Sequence, residues 1–429
     1  MISMIEKVNK NLKNLLGSTE TLVDFSKLFS SLLIAQGIGL ISSVILTRIY
    51  SPSDFGIFAN FMAVTTTLSY LSMGTYELAI VPCKQDKDSD SLAGLCFSLL
   101  FLSCIIALII IACIYLYSSK SLEILGGPVA CLIPLGIFIM GLINVLTYWC
   151  NRQRKYAQIS VSRITQAFFA AAGKLSMFAI YAGLIIGTLI GSFFALAVLF
   201  YKLPFLRFSL KWNDIKKIAF AFKTYPCFMI PTVLLNNIGQ QLPVILICSM
   251  ASAELGGFYS IAVTVMNLPA TTAGGAISQI FIEKFSRRYH GNDFTGAKNL
   301  LLKTWMKLFI IGVVPFSLLF FFGPLLFSIV FGAKWYTAGL IASIIAPVSF
   351  LGLLVSPTSG IYLTMGMEKY SSVYGAVALH MPIIIAIGMY YDKFWLGLII
   401  AMIVQFILVF VYGLIGIKRL TLSCKQAAV

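Results

Sequence analysis

Long apolar runs fill most of this chain, and short polar links separate them. Each run holds about 20 or more mainly apolar residues, enough to cross roughly 30 Å of hydrocarbon as a helix. Because backbone polar groups inside a bilayer must be paired within their own segment, such runs form helices. The pattern predicts an all-α integral membrane protein with about 12 transmembrane helices. The predicted spans are residues 25–48, 56–81, 92–117, 128–150, 157–178, 181–201, 225–249, 257–282, 299–323, 338–364, 370–390 and 394–417.

The basic residues are concentrated in every second link. All but five of the 31 Lys and Arg residues lie in or beside these links. The five exceptions are Arg48, Lys120, Lys174, Lys334 and Lys393. Because Lys and Arg are enriched in cytoplasmic loops, this asymmetry predicts an even number of spans and places both termini in the cytoplasm.

The composition argues against other classes of function. A net charge of +16 often indicates nucleic acid, but here the cations lie beside apolar runs, where they set topology and meet anionic lipid. The nine Cys and two His residues form no CxxC pair or Cys/His cluster. We therefore expect no nucleic-acid partner, no disulfide framework and no bound metal.

The links suggest how the chain is divided. Apolar residues recur at helical spacing in residues 2–16, with lysines between them, which predicts an amphipathic helix on the cytoplasmic face of the membrane. The longest polar link, residues 202–224, falls near the midpoint and carries six Lys and Arg residues. The predicted domains are a cytoplasmic amphipathic N-terminal helix (1–23), an N-terminal six-helix bundle (24–201), a cytoplasmic connector (202–224), a C-terminal six-helix bundle (225–417) and a cytoplasmic tail (418–429).

A short internal match supports two halves. The segment from Asp54 to Phe58 follows the first predicted span, and the similar segment from Glu254 to Phe258 follows the seventh, at an offset of 200. Chance is the alternative, since an acidic residue near a glycine is common in short loops. With an even number of spans per half, a repeat would be parallel, related by an axis along the membrane normal.

Several motifs resemble those of one transporter family. The run from Leu46 to Gly56 (LTRIYSPSDFG) resembles the first loop of polysaccharide flippases in the multidrug/oligosaccharidyl-lipid/polysaccharide exporter superfamily. The run from Tyr76 to Val81 (YELAIV) is similar to the second signature of that family. A third set comprises Tyr225-Pro226, Asn236 to Pro243, Gly256 to Tyr259, Leu268-Pro269 and Ser278-Gln279. The resemblance extends from about Asp24 to Arg288.

This resemblance implies a fold and a function. The expected fold is MATE-like, with two six-helix bundles around a central cavity and a pseudo-twofold axis along the membrane normal. The expected function is that of a flippase rather than an enzyme. It would move undecaprenyl-pyrophosphate-linked oligosaccharide repeat units, with O-antigen as the expected glycan, across the bacterial inner membrane by alternating access. No cofactor is expected, and a proton or sodium gradient would drive transport. Expected partners are the lipid-linked oligosaccharide, membrane lipid, a polysaccharide polymerase and a chain-length regulator.

Two other functions are alternatives. A multidrug/cation antiporter of the same superfamily has a similar number of spans, but it should place acids in its cavity, whereas the membrane-embedded charges here are mostly basic. A membrane-embedded surface-glycan polymerase would need a large outer loop carrying catalytic residues, and the outward links of this chain are short.

Intramembrane cations are the first candidates for a phosphate site, because an unpaired ion in hydrocarbon is costly. Arg48 ends the first span, and Lys174 lies deep in the fifth. Either could hold the pyrophosphate through charge-assisted hydrogen bonds. Lys27 and Arg163 could form the inner mouth of the same path. The alternative for all four is a side chain that snorkels to the interface or pairs structurally.

One carboxylate and a group of amides complete the candidate site. Glu77 is the most deeply placed acid, and it is either an ion pair of Lys27 or a group that couples transport to an ion gradient. Asp24 is a weaker coupling candidate that could instead cap a helix. The amides near the middle of the seventh span suit sugar hydroxyls, or else hydrogen bonds between packed spans. These amides are Asn236, Asn237, Gln240 and Gln241.

Overall fold

The computed structural model describes residues 19–83, 85–117, 127–201, 212–367 and 379–426. Most of the predicted N-terminal amphipathic helix, half of the connector and part of the eleventh predicted span lie outside these residues. The helices are α1 (Thr19–Ile49), α2 (Pro52–Ser72), α3 (Asp86–Tyr117), α4 (Ile133–Arg152), α5 (Tyr156–Ser176), α6 (Gly183–Phe200), α7 (Trp212–Ala221), α8 (Thr224–Met250), α9 (Ala253–Pro269), α10 (Gly275–His290), α11 (Phe294–Phe331), α12 (Tyr336–Val355), α13 (Ile361–Thr364), α14 (His380–Tyr390) and α15 (Phe394–Gln426).

Short turns of other helical types connect several of these helices. Tyr76–Ala79, Gly127–Leu132, Ala333–Trp335 and Ser356–Thr358 are 3₁₀ turns, and Ala270–Gly274 is a π-helical turn. All regular secondary structure in the described ranges is therefore helical. The predicted all-α membrane fold is confirmed.

Eight stretches of the described chain are long and apolar enough to cross a bilayer. They are Leu28–Ile49, Lys87–Leu116, Gly127–Arg152, Gly183–Phe200, Thr224–Met250, Phe294–Phe331, Ala333–Thr364 and Phe394–Leu422. The chain is thus a multi-pass membrane protein. The total of twelve spans stays a prediction.

The chain forms two compact units. Unit 1 comprises Met1–Leu46 and Val64–Val233, and unit 2 comprises Thr47–Ala63 and Leu234–Val429. The corner between α1 and α2 therefore belongs to unit 2, although the sequence alone assigned it to the N-terminal bundle. The domain boundaries proposed from the sequence stay a prediction.

In unit 1, α5 and α6 pack closely because small residues line their contact. A Cβ atom at Gly187 of α6 would lie 2.3 Å from the Lys174 backbone nitrogen, and one at Gly191 would lie 2.5 Å from the Ala170 nitrogen. Small residues allow two transmembrane helices to approach at backbone distance. This contact fixes the end of α5, where Lys174 is situated.

In unit 2, α12 forms the centre of the packing, with α9, α11 and α15 against it. Its inner face consists of residues with almost no exposed surface. These are Ala338, Ile341, Ala342 and Ala346. A second buried cluster joins α10, α13 and α15, where the rings of Tyr362 and Tyr412 stack at 4.1 Å.

We expect Gly187→Ala to lower the free energy of unfolding by about 1–3 kcal/mol, because the added methyl group would overlap the α5 backbone. Gly39→Ala is the matched control, since a Cβ atom there meets nothing within 4 Å. Thermal unfolding of the purified protein in detergent measures both. Equal unfolding temperatures for the two variants would show that the α5–α6 contact can accommodate a methyl group at Gly187.

Candidate functional site

The first family motif begins α2 with a capping box. The Asp54 backbone N–H donates to Ser51 Oγ at 3.2 Å, and the Ser51 N–H donates to Asp54 Oδ2 at 2.9 Å. Pro52 occupies the first helical position, where its missing N–H costs nothing. The motif therefore has a local structural reason, because it satisfies the backbone donors at the start of a helix.

The two segments of the internal match have the same structural setting. Ser252 accepts a hydrogen bond from the Leu255 N–H at 3.1 Å and so caps α9, as Ser51 caps α2. The first turns of α2 and α9 also touch each other. A Cβ atom at Gly56 would lie 1.7 Å from the Ala253 oxygen, and one at Gly257 would lie 1.9 Å from the Pro52 oxygen. Gly56 and Gly257 are thus needed for a close approach of backbones, whereas a Cβ atom at Gly256 would meet the Cys248 side chain at 2.1 Å.

Arg48 lies in unit 2 and closes the end of another helix. Its guanidinium donates to the carbonyl oxygens of Ile329 and Val330 at 3.3 and 3.5 Å, in the last turn of α11. Lys334 makes the reciprocal contact. Its ammonium donates to the carbonyls of Arg48 and Tyr50 at the end of α1. We call this pair the basic clasp. Both residues are exposed, and their charges stabilise the negative ends of helix dipoles.

Trp335 anchors the same corner. It is completely buried, and its indole N–H donates to the Thr47 carbonyl at 2.9 Å. Its ring meets Phe55 and Phe258 edge to face, at centroid distances of 5.1 and 5.8 Å. Two segments of the family motifs thus converge on one tryptophan that the sequence analysis did not single out.

The cations of unit 1 are placed differently. Lys174 lies in the last turn of α5 and Arg163 lies on the same helix, and both are half-buried. The two positions are eleven residues apart, or three turns, which places them on one side of α5. The structure therefore provides a helix with two partly sheltered cations. Lys27 and Asp24 lie on α1, and their side chains are outside the described part of the chain.

Glu77 lies in the 3₁₀ turn after α2 and is 2% exposed. Its Oε2 atom has no hydrogen-bond partner in the described structure. Thr75, which precedes this turn, has a left-handed backbone with φ at 60°, so the chain changes direction sharply between α2 and the turn. Arg152 donates to the carbonyls of Ile80 and Val81 at 3.0 and 3.2 Å, and so holds the end of the turn.

The second family motif also fixes part of the connector. The Tyr76 hydroxyl donates to the Ala219 carbonyl at 3.1 Å, and α7 packs on α3 through the buried side chains of Ile215 and Ile218. The outer side of α7 borders a cavity of about 720 Å³. It is lined by Lys216, Lys217, Ala219, Phe220 and Lys223. This basic cavity matches the charge predicted for the connector.

The four amides of α8 form two rows. Asn236 and Gln240 are exposed, and the Gln240 amide donates to Asn236 Oδ1 at 3.1 Å. Asn237 and Gln241 are half-buried on the neighbouring row. Because residues four apart lie on the same side of a helix, Asn236 lies beside Gln240, and Asn237 lies beside Gln241. Their role in binding stays a prediction, as it does for every candidate residue above.

Solved structures share this fold. A multidrug-resistance MATE family transporter of the MOP superfamily matches with a TM-score of 0.66 and 15% identity, over 93% of this chain and 95% of that one. The lipid II flippase MurJ matches with a TM-score of 0.68 and 16% identity, over 93% and 91% of the two chains. Identities this low show the fold alone. The fold of this chain is therefore the multi-pass, all-α membrane fold that both structures have.

The sequence identifies the family within that class. The family described as "Polysaccharide biosynthesis protein" matches residues 45–339, which is more than half of the chain. The chain belongs to this family, and the resemblance to the polysaccharide transporters of the MOP superfamily is confirmed. The teichuronic acid biosynthesis protein TuaB of Bacillus subtilis (strain 168) is 25% identical over 149 residues. That match covers 34% of this chain and 30% of TuaB, so it spans less than a third of the relative's length.

We expect Trp335→Ala to lower the free energy of unfolding by about 3–5 kcal/mol, because it leaves a large cavity among aromatic rings. Trp335→Phe should cost less, since it keeps ring contacts and loses mainly the hydrogen bond to Thr47. Trp395→Ala is the control, because Trp395 is 40% exposed. Thermal unfolding in detergent should rank the three in that order, and a mild effect of Trp335→Ala would contradict the anchoring role.

Proposed function

We propose that this protein is a flippase for polyprenyl-pyrophosphate-linked oligosaccharides. It would carry undecaprenyl-linked repeat units, with O-antigen as the proposed glycan, from the cytoplasmic to the periplasmic leaflet of the inner membrane by alternating access. The observation that carries the proposal is the family match over residues 45–339. The shared fold with the lipid II flippase MurJ supports it, because that protein moves a lipid-linked substrate.

The physical task is to carry a polar headgroup through hydrocarbon. A pyrophosphate and sugar hydroxyls are costly there without partners, while the polyprenyl tail can stay in the bilayer. The protein therefore needs cations for the pyrophosphate and neutral polar groups for the sugars. Lys174 and Arg163 on α5 supply sheltered cations, and Asn236 and Gln240 on α8 supply exposed amides.

The contacts of Arg48 support a ranking of the phosphate candidates. Arg48 spends its guanidinium on the carbonyls that end α11, so its removal would disturb the basic clasp. Lys174 lies instead in a half-buried position on α5 beside a close helix contact. We therefore place Lys174 first and Arg163 second, with Arg48 as a structural residue.

Orientation and partners follow from the charge pattern and the proposed pathway. The excess of Lys and Arg in alternate links supports cytoplasmic termini. The basic cavity beside α7 would then lie at the cytoplasmic surface, among anionic headgroups. The proposed protein partners are a polymerase, which would consume the flipped repeat unit, and a chain-length regulator.

A multidrug antiporter is the second candidate, favoured by the MATE transporter that shares the fold. Gene deletion separates the two. The flippase proposal expects loss of surface glycan, with repeat units accumulating on the cytoplasmic leaflet, and restoration by the wild-type gene. Unchanged glycan with greater sensitivity to cationic drugs would favour the antiporter.

We expect Lys174→Met to lower the flipping rate of lipid-linked repeat units in proteoliposomes by tenfold or more, because a phosphate contact is lost. Lys174→Arg should retain most of the rate, since it keeps the charge. Lys393→Met is the matched control, because Lys393 is exposed. Membrane abundance is measured for each variant, and full flipping by correctly folded Lys174→Met would contradict the phosphate role.

We also propose that Glu77 couples transport to a proton or sodium gradient, since it is a buried acid with one oxygen unpartnered within the described structure. Glu77→Gln should fold, because the amide is nearly isosteric, but its flipping rate should no longer respond to an imposed gradient. Glu254→Gln is the control, because Glu254 is exposed at the start of α9. A gradient response that survives in Glu77→Gln would remove Glu77 from the coupling step.

A further inference from the structure

The α9 helix has an unusual exposed face. After its first turn, the exposed residues of α9 are Thr264 and Asn267, and both are polar. By contrast, α3 exposes a continuous apolar surface of the kind that lipid requires. That surface includes Phe101, Leu102, Ile105, Ile106, Leu108, Ile109 and Ile110. An unpaired amide such as that of Asn267 is costly in lipid, so this face of α9 suits a polar environment better than hydrocarbon.

The polar residues of α9 form one continuous line. Ser260, Thr264, Asn267 and Thr271 follow one another at spacings of four, three and four residues, which keeps them on one side of a helix. We call them the polar ladder. The opposite side of α9 is buried, through residues such as Tyr259, Ala262 and Met266. Since α9 packs on α12, the ladder lies on the side turned away from that contact.

The hydroxyl groups of the ladder are arranged as acceptors. Thr264 Oγ1 donates to the Ser260 carbonyl at 2.7 Å, and Ser260 Oγ donates to the Gly257 carbonyl at 3.0 Å. Each hydroxyl proton is thereby used within the helix, and the oxygen lone pairs remain for an incoming donor. The exposed Asn267 side chain adds both an acceptor and two donors.

The C-terminal residue of the ladder, Thr271, lies in the π-helical turn Ala270–Gly274. Thr271 Oγ1 donates to the carbonyls of Asn267 and Leu268 at 3.1 and 3.2 Å, which holds the widened turn. Such π turns often occur at functional sites, because they redirect side chains within a helix. Here the turn keeps Thr271 exposed and in line with Asn267.

The amides of α8 lie at a matching distance from the turn that joins α8 to α9. Asn236 and Gln240 precede the end of α8 by about 15–21 Å along the helix, at 1.5 Å per residue. Thr264 and Asn267 follow the start of α9 by about 17–21 Å on the same basis. Both helices thus carry exposed neutral polar groups at the same distance from their shared turn.

We propose that the polar ladder binds the sugar hydroxyls of the lipid-linked substrate. This inference rests on the proposed flippase function and names the part of the substrate that unit 2 holds. The ladder is neutral, because no charged residue occurs between Glu254 and Glu283. A neutral surface of hydroxyls and an amide suits a glycan, while a pyrophosphate or an organic cation would call for an opposite charge.

The test compares two probes on the full-length protein in nanodiscs. The probes are the repeat unit linked to undecaprenyl pyrophosphate, extracted from the host, and undecaprenyl pyrophosphate without sugar. We expect the double variant Thr264→Val/Asn267→Leu to bind the repeat unit about tenfold more weakly, because several hydrogen bonds are lost together. Its affinity for the sugar-free probe should be unchanged.

Controls separate binding from folding. Thr304→Val removes a similar hydroxyl bond, to the Leu300 carbonyl of α11, and should leave both affinities unchanged. Thr264→Ser keeps a hydroxyl at this position and should retain most of the affinity for the repeat unit. Full affinity of the double variant for the repeat unit, or an equal loss for both probes, would overturn the ladder. Absence of repeat-unit binding and flipping by the wild type would overturn the proposed function itself.

Discussion

Backbone carbonyl groups at the ends of helices have no partner within the helix, and the structure depends on side chains that satisfy them. Arg48 and Lys334 do so for α11 and α1, and Arg152 does so for the turn that contains Glu77. Gln158 performs the same task at the end of α6, where its amide donates to the Val198 and Leu199 carbonyls. Polar side chains near the ends of spans therefore have structural work that must be considered before a binding role.

The all-α membrane class of the fold and the start of α2 could be predicted from the sequence, because both follow from local patterns. Apolar length fixes membrane helices, and the run from Leu46 to Gly56 carries its own capping box. The position of Lys174 on a helix also followed from its apolar neighbours. The motif match then reached the correct family, since order and spacing of short motifs survive when overall identity is low.

The contacts that assign roles could not be read in this way, because they join distant segments. Trp335 meets Thr47 across 288 residues, and Arg48 meets Ile329 across 281. No periodic pattern in the sequence marks such a pair. Asn267 was similarly hidden, since a single amide in an apolar run usually indicates packing. Only its exposure beside Thr264 shows a continuous polar face.

Apart from the basic clasp of unit 2, the candidate polar residues of the two units differ in their chemistry. Unit 1 holds the partly sheltered cations Lys174 and Arg163 and the buried acid Glu77, while α8 and α9 of unit 2 present neutral amides and hydroxyls. A lipid-linked oligosaccharide has the same division, with charge at its pyrophosphate and neutral hydroxyls along its sugars. Under the proposed function, charge recognition would belong to unit 1 and glycan recognition to unit 2. Neutral groups set as acceptors tolerate different sugars, because any correctly placed hydroxyl can donate to them.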